Sequence, residues 1–180
     1  RKELGVPTVF NILGPLANPA KPKSAAIGVA NDRMHLVMAQ VLGDRGVDGF
    51  VFRGDDGLDE LTLTTTTQVL TIGNGEIESG LIDPPKFGIQ YSPIEKLVGG
   101  EAADNAKIAL AVFAGEKGAP RDATILNAAA AIAAYNNDAE LDLATRFEEG
   151  ISEATRAIDS GAATQLLNKW VKLTQALVKS

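Results

Sequence analysis

The order of apolar segments in the first third of the chain constrains its fold more than any other feature. An apolar stretch, SAAIGVA at 24–30, precedes residues 34–42, in which apolar side chains recur at helical spacing, and a second apolar stretch, DGFVFR, follows at 48–53. Short apolar runs bounded by glycine or charge are typical of core strands, so this order predicts a strand–helix–strand unit. The two strands of such a unit pair in parallel through a right-handed crossover.

The remainder of the chain predicts a hairpin and then helices. Residues 67–82, TQVLTIGNGEIESGLI, hold two β-prone runs around Gly73, Asn74 and Gly75, a pattern typical of a β-hairpin. Beyond residue 97 the apolar side chains follow helical spacing and end in an amphipathic helix around Trp170. We therefore predict an α/β fold with a mixed, largely parallel sheet and flanking helices.

Composition and charge exclude several classes of protein. The absence of cysteine excludes disulfides, thiolate metal sites and cysteine nucleophiles. A formal net charge of −6, with acids and bases mixed along the chain, argues against a nucleic-acid partner. No stretch approaches the roughly 18 apolar residues of a membrane helix, so we expect no membrane partner and a cytoplasmic location.

Four carboxylates fall within six residues directly after the second predicted strand, in RGDDGLDEL at 53–61. Ligands of α/β sheets commonly bind beyond strand ends, and magnesium prefers hard oxygen ligands. A regular strand would point Asp59 and Glu60 to opposite faces, so a shared ion needs irregular backbone, which Gly54 and Gly57 allow. The residues alone leave two interpretations open, a solvated acidic turn and a cation site.

Two further features, a lone histidine and a threonine-rich run, are interpreted as structural rather than catalytic. His35 is the only histidine, lies on a predicted helix without a partner nearby in sequence, and is interpreted as a surface or packing residue. The threonine-rich run at 62–67 alternates as a strand would, and its hydroxyls need no catalytic role.

The stretches RKELGVPTVFNILGPLANPA (1–20) and GDDGLDEL (54–61) together resemble the anthranilate phosphoribosyltransferase family. Further similar stretches at 99–132 and 148–167 keep the family's order, so the resemblance covers essentially the whole chain. It implies the C-terminal α/β domain of the nucleoside phosphorylase and phosphoribosyltransferase fold over 21–180. Residues 1–20 would then be a remnant of the small helical domain and its hinge.

The resemblance implies transfer of the phosphoribosyl group from phosphoribosyl pyrophosphate to anthranilate, giving phosphoribosyl-anthranilate and pyrophosphate in tryptophan biosynthesis. It assigns a Mg²⁺ ion to Asp59 and Glu60. It assigns anthranilate binding to Arg1, because a guanidinium fork matches a carboxylate with two hydrogen bonds. Gly14 and Pro15 match the L-G-P-L turn that lines the acceptor path. No residue is assigned a catalytic role.

Two alternatives stay open beside this interpretation. One is a pyrimidine nucleoside phosphorylase-type enzyme, whose nucleobase would not need Arg1. The other is a non-catalytic ligand- or nucleic-acid-binding homologue of the same fold. Asn11, Asn105 and Asn127 also lie in similar motifs and are interpreted as caps and buried polar anchors, and Arg53 stands where many relatives have histidine.

The family's glycine-rich loop, which cradles pyrophosphate, lies outside the region of resemblance. We therefore expect this chain to be a C-terminal portion that is inactive alone. The resemblance implies a homodimer for the complete enzyme.

Overall fold

The computed structural model describes residues 10–178 and contains one four-stranded mixed sheet in the order β1-β2-β3-β4. Strand β1 (Ser24–Gly28) pairs in parallel with β2 (Asp48–Gly54). Strands β3 (Thr67–Gly73) and β4 (Glu76–Ile82) extend the sheet by antiparallel pairing. The strand–helix–strand unit and the hairpin are thus both confirmed.

Helix α2 (Asp32–Asp44) connects the two parallel strands. Its first turn is capped by Asn31, whose side chain accepts a hydrogen bond from the Met34 N–H at 3.1 Å. The buried ring of His35 lies with Nε2 2.9 Å from the Val51 carbonyl oxygen of β2. The histidine therefore links the helix to the sheet, and the packing interpretation is confirmed.

The hairpin explains why the sheet has less parallel pairing than expected. Asn74 and Gly75 have φ of 53° and 81°, and two consecutive positive φ values are typical of the type I′ turn that joins antiparallel strands. Of the three strand pairs in the described residues, only β1–β2 is parallel. The α/β class and the mixed sheet are confirmed, while the predominance of parallel pairing is not found.

Helices pack around this sheet and fill the second half of the chain. They are α1 (Phe10–Leu16), α3 (Ala102–Phe113), α4 (Ala119–Asn136), α5 (Leu143–Asp159) and α6 (Ala162–Val178). Between β4 and α3 lie two single turns of 3₁₀ helix, at Pro84–Phe87 and Ile94–Lys96. The main core lies between the sheet and α4, where Phe50, Leu126 and Phe147 are fully buried. Among residues 10–178, no helix is both long and apolar enough to cross a lipid bilayer.

Two local predictions are corrected by the structure. Gly14 and Pro15 lie inside α1 rather than in a turn, because burial of Ile12 and Leu16 against the α2 side of the sheet favours a helix there. Within the threonine-rich run only Thr67 belongs to a strand. The residues before it are irregular because their hydroxyls bond to the acidic segment, as described next.

Candidate functional site

The acidic segment begins where β2 ends and folds at once into a tight turn. The Gly54 N–H donates to the Leu58 carbonyl oxygen at 2.9 Å, and the Gly57 N–H donates to the Gly54 carbonyl oxygen at 2.8 Å. A Cβ on Gly54 would lie 2.3 Å from Asp56 Oδ1, and Gly57 has a φ of +92°. Both positions therefore favour glycine, and the irregular backbone expected from the sequence is present.

Asp56 uses its carboxylate to hold this turn together. Its Oδ2 accepts hydrogen bonds from Thr62 Oγ1 at 2.6 Å and from Thr64 Oγ1, and its Oδ1 accepts one from the Leu58 N–H at 3.1 Å. The carboxylate thus joins the start of the segment to the threonine-rich run that follows it. This is a structural role, which accounts for one of the four clustered acids.

Asp55 is held by residues near the end of the same run and directly after it. Its carboxylate accepts hydrogen bonds from Thr66 Oγ1 and, at 3.2 Å, from Gln68 Nε2. Two of the four acids are therefore engaged by protein donors. The threonine hydroxyls have a structural function that the sequence pattern did not reveal.

The turn around Asp56 is expected to weaken in acid. The largest single effect, partial burial, raises the pKa of Asp56, but the hydrogen bonds from Thr62, Thr64 and Leu58 together outweigh it and leave the pKa below its usual 3.8. Since the folded pKa is depressed, the stabilisation is fully present above about pH 3.8 and is lost as the pH falls through the lower folded value.

Chemical denaturation of the chain and of its Asp56→Asn variant at a series of pH values tests this expectation. The difference in unfolding free energy between the two proteins should shrink below about pH 3.8, because only the unmodified chain has this carboxylate to protonate. A difference that stays constant down to the acid unfolding transition would contradict it.

Asp59 and Glu60 differ from the other two acids. Both are exposed, and within residues 10–178 neither carboxylate has a hydrogen-bond or ion-pair partner. Two adjacent like charges without protein donors repel each other, and a cation would relieve that repulsion. These two side chains are therefore the part of the segment that is available to a ligand.

The backbone that carries these carboxylates is fixed on both sides. The Asp59 carbonyl oxygen packs so closely on Gly28, at the end of β1, that a Cβ on this glycine would lie 1.6 Å from it. On the other side, Asn127 of α4 accepts the Leu61 N–H at 2.9 Å and donates to the Leu61 carbonyl oxygen at 2.9 Å. Asp59 and Glu60 thus project from a rigid support, and the interpretation of Asn127 as a polar anchor is confirmed.

Asn127→Ala is expected to lower the unfolding free energy by about 2 kcal/mol or more, because it leaves both backbone polar groups of the buried Leu61 unpaired. Asn105→Ala is the matched control. Asn105 makes the same pair of bonds, to the N–H and carbonyl of the exposed Gly100 at 2.8 and 3.1 Å, where water can replace it. Equal losses in denaturant titrations of the two variants would contradict the expectation.

A cleft of about 450 Å³ opens beside Glu60. The charged side chains that line it are those of Glu60 and Lys96. Its apolar wall comes from the acidic segment, the second 3₁₀ turn and helix α3, through Leu58, Leu61, Ile94, Leu97, Ile108 and Val112. Glu60 therefore lies at the boundary between solvent and a largely apolar space.

The donor set limits which metal ion this site suits. In the described part of the chain, no three histidine, aspartate or glutamate side chains come together in an arrangement that could hold a metal. A pair of carboxylates does not complete a zinc or calcium site, which needs more protein ligands. It does suit magnesium, which is often held by one or two carboxylates together with substrate phosphates and water.

The other predicted site residues do not join this pair. Arg1 lies outside the described residues, as does the Asn11 side chain. Gly14 and Pro15 are exposed in α1. Pro15 lines a separate cavity of about 570 Å³ together with Ala25, near the start of β1, and Val47, the residue before β2. The acidic segment follows the opposite end of β2 and does not line that cavity.

A family model described as "Glycosyl transferase family, a/b domain" matches residues 1–164. The chain belongs to this family. Curated relatives of this glycosyl transferase chain include an anthranilate phosphoribosyltransferase from Arthrobacter sp. (strain FB24), which is 49% identical over 97% of this chain and 50% of its own length. One from Rhodococcus jostii (strain RHA1) is 48% identical over 100% of this chain and 50% of its own length. The chain thus spans about half the length of the curated relatives it matches.

Solved structures of anthranilate phosphoribosyltransferases from two organisms are also similar to this chain. The anthranilate phosphoribosyltransferase of Thermus thermophilus aligns with a TM-score of 0.83 and 35% identity, covering 96% of this chain and 49% of that one. The Saccharomyces cerevisiae enzyme in complex with PRPP and Mg aligns with a TM-score of 0.86 and 26% identity, covering 98% and 50%. The same yeast enzyme in complex with 4-fluoroanthranilate gives a TM-score of 0.85 over the same shares.

The roles of Gly28 and Asn127 in supporting the pair were missed from the sequence. Asn127 stands alone as a polar residue between Leu126 and a run of alanines, and an isolated amide on an apolar helix face is a signal of a buried anchor. The group that Asn127 binds could not be predicted from the neighbouring residues, because its partner Leu61 lies 66 residues away in the sequence. Gly28 carries no such signal, because it lies inside the predicted strand 24–30 and only the structure ends β1 there.

Proposed function

We propose that this chain carries the metal-binding α/β half of an anthranilate phosphoribosyltransferase. The reaction is transfer of the phosphoribosyl group from phosphoribosyl pyrophosphate to the amine of anthranilate, with release of pyrophosphate, in tryptophan biosynthesis. The observation that carries the proposal is the pair of carboxylates of Asp59 and Glu60, which have no protein partner among the described residues and lie on fixed backbone. The names of the curated relatives supply the substrates.

Asp59 and Glu60 hold the Mg²⁺ ion in this proposal. When bound, the ion stabilises the negative charge that concentrates on the departing pyrophosphate. The support for the pair, through Gly28 and Asn127, keeps both carboxylates in place before substrate arrives, which lowers the reorganisation needed during the reaction. The yeast relative in complex with PRPP and Mg supports the choice of ion and donor substrate.

The remaining parts of the proposal rest on the resemblance alone. Arg1 binds the anthranilate carboxylate, and Gly14 and Pro15 line the acceptor path. Residues 1–20 act as the hinge toward a small helical domain, and residues 21–180 form the α/β domain. The complete enzyme is a cytoplasmic homodimer.

Anthranilate fluorescence tests the proposed reaction. The protein to use is a hybrid in which this chain replaces the matching half of the Arthrobacter relative, so that a polypeptide of the relatives' full length is present. We expect loss of anthranilate fluorescence that requires both phosphoribosyl pyrophosphate and Mg²⁺. A folded hybrid that leaves the fluorescence unchanged when both are present would contradict the proposal, and the unmodified Arthrobacter enzyme is the control.

A further inference from the structure

Arg53 lies one residue before the end of β2, and its guanidinium group is held by backbone. Its Nε donates a hydrogen bond to the Ala30 carbonyl oxygen at 3.0 Å. Ala30 follows Val29, whose N–H donates to the Phe52 carbonyl oxygen at 2.9 Å and continues the pairing of β1 with β2. The half-buried side chain is therefore fixed at the carboxyl ends of these two strands.

The Nη groups of Arg53 are available to a ligand. Of the five N–H donors of this arginine, only the one on Nε has a hydrogen-bond partner among residues 10–178. No ion pair in that part of the chain includes Arg53, although four carboxylates follow it within seven residues. Two of those carboxylates, of Asp55 and Asp56, accept from threonine and glutamine donors instead. Neutralising the acidic segment is therefore not the role of this guanidinium.

One short segment supports both Arg53 and the carboxylate pair. The Asp59 carbonyl oxygen packs on Gly28, and Arg53 binds Ala30, two residues farther along. Two residues span at most roughly 7 Å of chain. Arg53 and Asp59 also flank the hydrogen-bonded turn at 54–58. The guanidinium and the carboxylates are thus close enough to act on one ligand, although the structure does not pair them with each other.

A group that carries several phosphate oxygens and a metal ion suits this arrangement. The planar fork of an arginine matches phosphate oxygens with two parallel hydrogen bonds. A magnesium ion on the carboxylate pair needs further oxygen ligands, which substrate phosphates commonly supply. A pyrophosphate group satisfies both demands, because some of its oxygens bind the ion while others accept from the guanidinium. Without the ion, the negative charge of the carboxylates would repel it.

We propose that Arg53 binds the pyrophosphate group of phosphoribosyl pyrophosphate, on the side away from the ion held by Asp59 and Glu60. This assignment rests on the proposed function, which supplies the donor substrate. Negative charge grows on the pyrophosphate as its bond to the ribose breaks, so the cation adds to the stabilisation that the ion provides. Arg53 therefore acts on the donor and the departing group rather than on anthranilate.

Calorimetric titration of inorganic pyrophosphate into the hybrid, with Mg²⁺ present, tests the assignment. Arg53→Ala should weaken pyrophosphate binding by about tenfold or more, the loss expected for charge-assisted hydrogen bonds. Arg53→Lys should lose less, because it keeps the charge without the fork. Arg33→Ala is the matched control, since this exposed arginine lies in the first turn of α2 and its removal changes the net charge equally. Its effect should stay within about twofold.

Ribose 5-phosphate separates the pyrophosphate from the other phosphate of the donor. Its affinity for the hybrid should stay within about twofold in Arg53→Ala, because it lacks the group that Arg53 binds. A merely structural role, through the bond to Ala30, would weaken the binding of both ligands equally and would overturn the proposal. A loss confined to ribose 5-phosphate would assign Arg53 to the other phosphate and would also overturn it.

The same titrations distinguish a failure of this assignment from a failure of the proposed function. A hybrid that consumes anthranilate, and whose Arg53→Ala variant binds pyrophosphate as tightly as the parent, would contradict the role of Arg53 alone. A folded parent hybrid that binds no pyrophosphate in the presence of Mg²⁺ would contradict both.

Discussion

Asp59→Ala is expected to lower the kcat/KM of the hybrid by about 100-fold or more at limiting Mg²⁺, which corresponds to about 2.7 kcal/mol of transition-state stabilisation. The carboxylate of Asp59 has no protein partner among the described residues, so its removal costs the protein little stability and acts on the bound ion. Glu60→Ala should behave similarly. Raising the Mg²⁺ concentration should restore part of the lost activity, because the remaining carboxylate still binds the ion weakly.

Asp55→Ala is the matched control, in the same acidic segment. Its carboxylate is engaged by Thr66 and Gln68, so the loss of activity should stay below about tenfold and should not respond to added Mg²⁺. Steady-state assays across a Mg²⁺ titration separate the two cases. Equal losses at Asp55 and Asp59, with the same Mg²⁺ dependence, would contradict the assignment of the ion.

Gly28→Ala is expected to be the most damaging small substitution near the site. A methyl group at this position would lie 1.6 Å from the Asp59 carbonyl oxygen, and neither backbone can move without disturbing the sheet or the acidic segment. We expect a loss of about 3 kcal/mol in the free energy of unfolding of the isolated chain, measured by denaturant titration.

Gly73→Ala is the control for the glycine substitution. Gly73 is the last residue of β3, and a Cβ there would meet nothing within 4 Å. Its effect should stay within about 1 kcal/mol, since the substitution mainly removes backbone freedom from the unfolded chain. A Gly28→Ala variant as stable as Gly73→Ala would show that the acidic segment does not rest on β1 in the way the structure describes.

Local pattern was sufficient for the elements whose stabilising contacts are close in sequence. The parallel pair β1 and β2 and the Asn74-Gly75 turn both follow from periodicity and turn chemistry within a few residues. The acidic segment was also recognised, because four carboxylates within six residues, next to Gly54 and Gly57, are visible in the sequence itself.

Local pattern failed where a distant contact decides the structure. The threonine-rich run alternates as a strand would, yet Thr62 and Thr64 bond to Asp56 and remain irregular. α1 retains a glycine and a proline in its last turn because burial of its apolar side chains outweighs their unfavourable helix propensity. The pattern of residues did not separate the two available acids from the other two: the resemblance pointed to Asp59 and Glu60, and only the structure gives the donors that occupy Asp55 and Asp56.

Manganese binding to the hybrid, followed by electron paramagnetic resonance, tests the central claim most directly. Mn²⁺ takes the same oxygen ligands as Mg²⁺ and loses its free-ion signal when bound. In the presence of phosphoribosyl pyrophosphate, the hybrid should bind at least one Mn²⁺ that the Asp59→Asn, Glu60→Gln double variant does not bind, while Asp55→Asn binds as the parent does. Equal Mn²⁺ binding by the parent and the double variant would contradict the assignment of the ion to Asp59 and Glu60.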